Sequence, residues 1–479
     1  MSRLIVGPFN RVEGDLEVTL DVEDGVVRSA QVNSPLFRGF EQILLGKHPL
    51  DALMFVPRIC GICSVSQSAA AAAALSQAMC VSAPVNGELA HNLIAGCENL
   101  ADHFSHFYLF FMPDFAREAY AKRVWHAEAV SRFKAVSGSA AAEVLPARRD
   151  FLELQGFMAG KWPHTLALQP GGSTRPVDAS ERIRIIALLR AFRAYLERTL
   201  FGDALEAIAA LDNCAALDAW RDARPVAHSD FRRYLELARD CGLDRIGAGP
   251  GVYLSHGSYA FEGGRLLRRG VWDGDLHELL SEAITEDVSH AWLAGEDAAR
   301  NPAQGATLPQ ADKAGAYTWC KAPRWNGRVA ETGALARLAV QGHPLARELA
   351  RSGGSVHARV VCRLLEIALV LPQMERWAKA LQPGAPFCET GSLPDEADSV
   401  GMVEAARGAL GHWLSIRRGR IANYQIVAPT TWNFSPRDAT GVPGALEQAL
   451  VGVAAGDGAA PAIQHVVRSF DPCMVCTVH

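Results

Sequence analysis

The sequence predicts an α+β fold, mainly α: a large helical core with small peripheral β-sheets, in a single domain spanning residues 1–479. Three observations predict it. Segments with apolar residues every three or four positions dominate from about residue 49 onward. Strand-like alternation is confined to short patches near 16–32, 251–272 and 420–427. No linker, internal repeat or low-complexity tract interrupts the chain, whose length alone would allow several domains at roughly 100–200 residues each.

Taken in order, residues 16–22 (LEVTLDV) alternate apolar and polar side chains. Glu23-Asp24-Gly25 supplies a turn, and 26–32 (VVRSAQV) reads as a second strand. Residues 59–87 are uncharged and long enough to span a membrane. They carry five Ser, two Gln, Pro84 and Asn86 among many Ala, so they gain little from lipid and read as a buried helix. Helices are expected at 88–111, 114–135, 179–212, 275–293, 335–350 and 357–381. The segment 179–212 places Ile183, Ile186, Leu189, Phe192, Leu196 and Leu200 on one stripe. Around 104–115 the aromatics Phe104, Phe107, Tyr108, Phe110, Phe111 and Phe115 read as core or interface, or as the lining of a buried functional site.

Hydrophobic residues make up 49% and charged residues 21%, which excludes a disordered or fibrous chain. The net charge of -5 is scattered along the sequence, which argues against nucleic acid as a partner. The first ten residues, MSRLIVGPFN, have no apolar signal region. Eleven Cys, odd in number and unevenly spread, do not form a secreted disulfide framework. The expected location is therefore cytoplasmic, with no membrane span.

The loudest chemistry lies near the two ends. Arg58-Ile59-Cys60-Gly61-Ile62-Cys63 is one CxxC and Asp471-Pro472-Cys473-Met474-Val475-Cys476 is the other, with His479 three residues on. Two such pairs supply four thiolates, which suit zinc, nickel, copper(I) or iron but not magnesium. Three readings compete. A structural zinc site is one, although zinc ribbons bring their pairs within a few dozen residues and these lie about 410 apart. A thioredoxin-like redox pair is another, but it needs a βαβ context that is not visible. The third is a redox-active transition-metal site buried between the first helices and the chain terminus. The other seven Cys (80, 97, 214, 241, 320, 362, 388) have no pair spacing and read as buried small hydrophobes.

The set of motifs resembles the nickel–iron hydrogenase large subunit. RxCGxC near the start and DPCxxCxxH at the end match its paired signatures. Arg11-Val12-Glu13-Gly14, Arg38-Gly39-Phe40-Glu41, Ala406-Arg407-Gly408 and Pro429-Thr430-Thr431-Trp432-Asn433 match further family elements, in family order. The resemblance implies that Cys60 and Cys473 are terminal nickel thiolates and that Cys63 and Cys476 bridge nickel to an iron carrying carbon monoxide and cyanide. It implies heterolytic splitting of H2, with Glu13 as the proton-relay carboxylate. Arg407, Asp102 and Asp471 match residues around the open face of the metal pair, and Pro429 and Thr430 match the segment contacting a cyanide. Glu41 and His479 resemble ligands of a magnesium ion, or of iron in some relatives. Read without the resemblance, Glu13 is a surface turn residue, Asp102 a solvated helix residue, Arg407 a helix-end cation, Asp471 a turn initiator and 429–430 an ordinary loop.

The chain departs from the family pattern at Gln67, where most relatives have His four residues after the second Cys, and at Asp15, where many have His. Gln can donate a hydrogen bond to a bridging sulfur but cannot become an imidazolium. Relatives built for turnover are typically made with an extension after the final His, and this sequence stops at His479. These features, with Ile62 and Phe110 at the expected neck of a gas tunnel, resemble the regulatory, hydrogen-sensing branch. The expectation is a low-turnover hydrogenase subunit with an iron–sulfur small subunit and a histidine kinase as partners. The alternative is an energy-conserving uptake hydrogenase.

Overall fold

A computed structural model describes residues 2–261, 263–295, 299–455 and 461–479. The chain opens with an antiparallel meander of β1 (Ser2–Val6), β2 (Glu17–Glu23) and β3 (Val26–Asn33). Val18, Leu20 and Val22 alternate inward along β2, as period-2 patterning requires. Asp24 and Gly25, both at positive φ, make the tight turn between β2 and β3. The alternation at 16–22 and 26–32 thus marks two real strands. The exposed β1 carries too little apolar pattern to be read from sequence.

The core is helical. α1 (Ser64–Ala78), α2 (Val85–Ser105), α3 (Ser139–Ala159), α4 (Ala179–Tyr195) and α5 (Val356–Ala380) supply it, with α5 against α2 and α4, and α3 against α2 and α4. A second antiparallel sheet, β4 (Ala397–Ala405), β5 (Gly408–Arg417) and β6 (Arg420–Val427), lies against α1. The Ala-rich composition of α1 has a steric cause here. A Cβ on Gly401 of β4 would lie 2.0 Å from the Ala70 carbonyl oxygen, so helix and sheet approach through small residues only. Ala70, Ala71 and Ala74 are fully buried in that contact. Among the described residues, no helix is long and apolar enough to cross a membrane. α6 (Pro461–Ser469) then leads into the final residues.

Several expected helices break for identifiable reasons. The 88–111 segment is helical throughout but ends in a π-helical turn at His106–Phe111. The 179–212 segment ends its π turn at Gly202, which has φ 63°, and resumes only at Leu205–Ala209. The 335–350 segment is two helices, Ala334–Gln341 and Pro344–Ala350, split at Gly342 with φ 96°. Two expectations fail outright. Residues 114–135 hold 3-10 turns and one helix, His126–Phe133, because the Asp114 carboxylate is drawn to Arg11, Arg117 and Arg468 and the backbone turns extended at Arg117. Residues 275–293 form no α-helix, only a 3-10 turn at Ser281–Ala283. Ile284–Asp287 pairs as a strand with Ala322–Trp325, tertiary pairing overriding a helical apolar spacing.

Candidate metal centre

Both CxxC motifs sit where a loop runs into a helix. Cys60 ends a 3-10 turn, Val56–Ile59, and Cys63 stands at the start of α1. Cys473 stands at the start of a short helix, Met474–Thr477, which contains Cys476. The four sulfurs lie within 4.8 Å of one another and all four residues are buried. Cys60 Sγ is 3.5 Å from Cys473 Sγ, Cys63 Sγ is 3.1 Å from Cys476 Sγ, and the two C-terminal sulfurs are 3.3 Å apart. All four are free thiols. Hydrogen bonds from the other three thiols push Cys60 far below the usual thiol range, while the same shared bonds push Cys63 and Cys476 far above it. Protein groups alone thus favour one thiolate at this point. A bound cation is what allows all four to ionise together, so the donor set fits a thiophilic metal. This separates the four from Cys97, Cys320 and Cys362, which are buried singly; Cys80 is exposed and Cys214, Cys241 and Cys388 are part-exposed, contrary to the expectation that all seven are buried.

The N-terminal RVEG segment reaches this point by backbone pairing. Met474 N–H donates to Glu13 O at 2.7 Å, and Glu13 N–H to Pro472 O at 3.4 Å. Gly14 sits at φ 80°, a conformation that favours glycine, and a Cβ there would press tightly on Met474 and Val475 at 3.1–3.2 Å. Glu13 is half-buried, and burial together with the neighbouring Cys60 raises its carboxyl pKa, against the pull of Arg407 and Arg38. It is therefore no free surface turn.

Arg407 lies in the turn between β4 and β5, not at a helix end, and is buried. Its Nε donates to Asp471 O at 3.0 Å and its Nη2 to Asp471 Oδ1 at 3.1 Å, while Asp102 Oδ1 lies 3.1 Å from the same Nη2. Asp471 adopts φ 55°, which turns its side chain back toward the guanidinium. Burial pushes Asp102 up to about 8, assisted by Asp471, and Asp471 is held at about 2 by Arg407, His106 and Arg363 despite its burial. Asp102 thus keeps the proton and Asp471 the charge. Arg407 Nη1 is buried without a hydrogen-bond partner among the described residues, which fits a polar group beside the sulfurs.

Pro429 and Thr430 open a short helix, Pro429–Asn433, and Cys473 N–H points to Thr430 Oγ1 at 3.4 Å. Gln67, one turn into α1, is buried, and its Oε1 lies 2.9 Å from His412 Nε2. Ile62 is part-buried, with its N–H 3.3 Å from Cys60 Sγ; Phe110 is part-buried on the π turn, where its carbonyl accepts from Arg11. The two lie on separate elements.

A second cluster holds the chain end. Glu41 Oε1 accepts from Ile426 N–H at 2.7 Å and lies 3.3 Å from His479 Nε2, and Lys321 Nζ stands 3.2 Å from Glu41 Oε2. Lys321 also reaches Gln425 Oε1 at 2.8 Å and Glu286 Oε2 at 3.5 Å. Lys321 and His479 hold Glu41 at about 2 against the opposing effect of burial. Glu286 Oε1 is buried without a hydrogen-bond partner among the described residues, and the Lys321 ammonium bridges Glu41 and Glu286.

Sequence reasoning missed several contributors. Arg38 ties the two motifs together, donating to Ile59 O at 2.6 Å and to Val475 O. Glu98 of α2 accepts from Val65 N–H at 2.9 Å and Ser66 N–H at 3.0 Å, capping α1 where Cys63 supplies no cap of its own. Lys321, Glu286, Gln425 and His412 stand alone in sequence with no spacing to mark them. Only Arg38, inside the matched RGFE element, had a signal that could have been used.

Comparison with known proteins agrees with this geometry. Residues 38–143 and 135–479 match the family described as nickel-dependent hydrogenase. The chain is similar to the periplasmic [NiFeSe] hydrogenase large subunit of Desulfomicrobium baculatum, 30% identical over 100% of this chain and 95% of that one. It is similar also to the uptake hydrogenase large subunit of Cupriavidus necator, 26% identical over 100% and 95%. A solved structure of the Dm. baculatum [NiFeSe]-hydrogenase superposes with a TM-score of 0.87 at 30% identity, covering 100% of both chains. The D. vulgaris Hildenborough Ni-Fe-Se hydrogenase gives 0.86 at 28%, again over 100% of both. The chain belongs to the nickel-dependent hydrogenase family as a large subunit, an enzyme of H2 activation that binds its Ni-Fe centre through cysteines.

Proposed function

We propose that this chain splits H2 for sensing rather than for bulk energy conservation, and that Cys60, Cys63, Cys473 and Cys476 would together hold the nickel–iron pair. The nickel–iron pair, with carbon monoxide and cyanide on the iron, supplies the electron-rich site at which H2 is polarised. The chain's own groups do the rest. Glu13, half-buried and raised in pKa, takes the proton at its carboxylate and passes it outward. Arg407, fixed by Asp471 and flanked by Asp102, presents its unpartnered Nη1 as a donor beside the metals. Thr430 and Pro429 would face a cyanide on the iron. Glu41 and His479 would hold a magnesium ion, or iron, at the chain end. Electrons leave through an iron–sulfur small subunit, because this chain has no further Cys set for a cluster.

The observation that carries the sensing reading is Gln67: a neutral amide stands, buried on α1, where an imidazole is usual. Ile62 and Phe110 support it as bulky side chains at a gas-tunnel neck, and a histidine kinase is the partner it requires. The second reading is uptake turnover. The names of the relatives favour it over sensing, since "uptake hydrogenase large subunit" and "Hydrogenase-2 large chain" of Escherichia coli are among them. Purified heterodimer decides between the two: slow H2-dependent dye reduction with H2-dependent kinase binding is expected, and fast sustained dye reduction with no kinase response would establish the uptake role instead.

A further inference from the structure

α1 carries Cys63 at its start and Gln67 one turn later, with Gln67 N–H donating to Cys63 O at 3.1 Å. Helical side chains lean toward the N-terminus, so Gln67 leans over the turn that holds Cys63. Its amide has two faces, an oxygen that accepts and an NH2 that donates, and which one faces the sulfur decides what the residue does.

A short buried chain settles the orientation. Tyr424 Oη lies 2.8 Å from His412 Nδ1, and His412 Nε2 lies 2.9 Å from the Gln67 amide. All three residues are buried, and His412 is held neutral by burial. A neutral imidazole donates from one nitrogen and accepts at the other, which leaves two arrangements. If Nδ1 carries the proton, it donates to the tyrosine oxygen. The buried hydroxyl proton is then stranded, because Tyr424 Oη has no other hydrogen-bond partner among the described residues. If Nε2 carries the proton, Tyr424 O–H donates to Nδ1 and Nε2–H donates to Gln67 Oε1, so neither the hydroxyl nor the imidazole proton is stranded. The second arrangement wins, because the first leaves a buried donor unpaired.

We propose that His412 and Tyr424 are positioning residues that hold the Gln67 oxygen away from the metal centre and leave its NH2, which has no hydrogen-bond partner among the described residues, as the donor available to the thiolate of Cys63. The sheet residues His412 of β5 and Tyr424 of β6 thereby reach the Ni-Fe site through one side chain of α1. The inference rests on the assignment of Cys63 to that site.

The test uses the assembled, metal-loaded heterodimer and the infrared bands of the diatomic ligands on iron, which report electron density arriving from the bridging thiolates. Gln67→Leu and His412→Leu should shift the bands in the same direction, and the double variant should shift them no further than Gln67→Leu alone. His412→Gln, which restores an N–H at the same reach, should return the bands toward the parent positions. Tyr424→Phe should shift them by less than His412→Leu. Additive shifts in the double variant, or parent bands in His412→Leu with nickel still bound, would overturn the proposal. If His412→Leu takes up no nickel, Tyr424→Phe decides, and parent bands there overturn it. Absence of nickel and of diatomic bands from the parent protein would instead overturn the assignment of the Ni-Fe site itself.

Discussion

Cys60 and Cys63 arrive at the sulfur cluster at the start of a 15-residue helix, whereas Cys473 and Cys476 arrive on a four-residue helix two residues from the chain end. The first pair is supported from within its own element: α1 packs against the sheet through its Ala face, and Glu98 satisfies its first N–H groups. The second pair has no such element and is tied in from outside. Glu13 pairs with its backbone, Arg38 and Arg407 bind its carbonyls, Thr430 meets Cys473, and Glu41 meets His479. Equal motif spacing therefore conceals unequal support. One arm is preformed by helix packing, and the other is assembled from tethers that lie from 43 to more than 400 residues away in sequence.

The largest effect should come from the tethered arm's own ligand. Cys473→Ser should abolish nickel incorporation by elemental analysis, and retained nickel would remove the residue from the ligand set. Next, Glu13→Gln should slow hydrogen–deuterium exchange sharply while the metals stay bound; unchanged exchange would take Glu13 off the proton path and leave it as a tether only. Third, Glu41→Ala leaves the buried Lys321 with only Glu286 and Gln425 and frees His479, a loss of up to about 3–5 kcal/mol for a broken buried pair. Proteolysis should then open the C-terminal arm while α1 keeps its protection. Equal loss at both arms would erase the contrast.

The smallest effect belongs to the preformed arm. Glu98→Gln turns an amide NH2 toward the helix-end N–H groups and should cost about 1–2 kcal/mol. Burial raises Glu98 to about 7 from an ordinary 4.5, partly offset by the donors of Val65 and Ser66. The unfolded chain loses this proton first as pH rises, so the folded state binds more protons between about 4.5 and 7 and its stability falls across that window. Denaturant melts should show that slope flattened in Glu98→Gln, and an unchanged slope would mean Glu98 does not titrate there.

What could be read in advance follows the same division. The four ligand cysteines were legible because their spacing is local, and the family order of RVEG, RGFE, ARG and PTTWN pointed to Glu13, Glu41 and Arg407. β2 and β3 were legible from strict alternation. The residues packed around those motifs were not, because Lys321, Glu286, Gln425 and His412 are single residues whose partners lie far off in sequence. Nor was the strand Ile284–Asp287, whose apolar spacing is helical and whose conformation comes from pairing with Ala322–Trp325. Asp102 and Asp471 read locally as solvated or turn-forming residues, and only the three-dimensional contact with Arg407 makes them a buried pair.

The account stands most directly on the claim that both arms ligate one nickel. Nickel K-edge X-ray absorption on the purified heterodimer tests it. A first coordination shell dominated by sulfur is predicted, with sulfur lost in a variant that alters either arm. A shell dominated by nitrogen and oxygen, or one unchanged by substitution in the C-terminal arm, would contradict it.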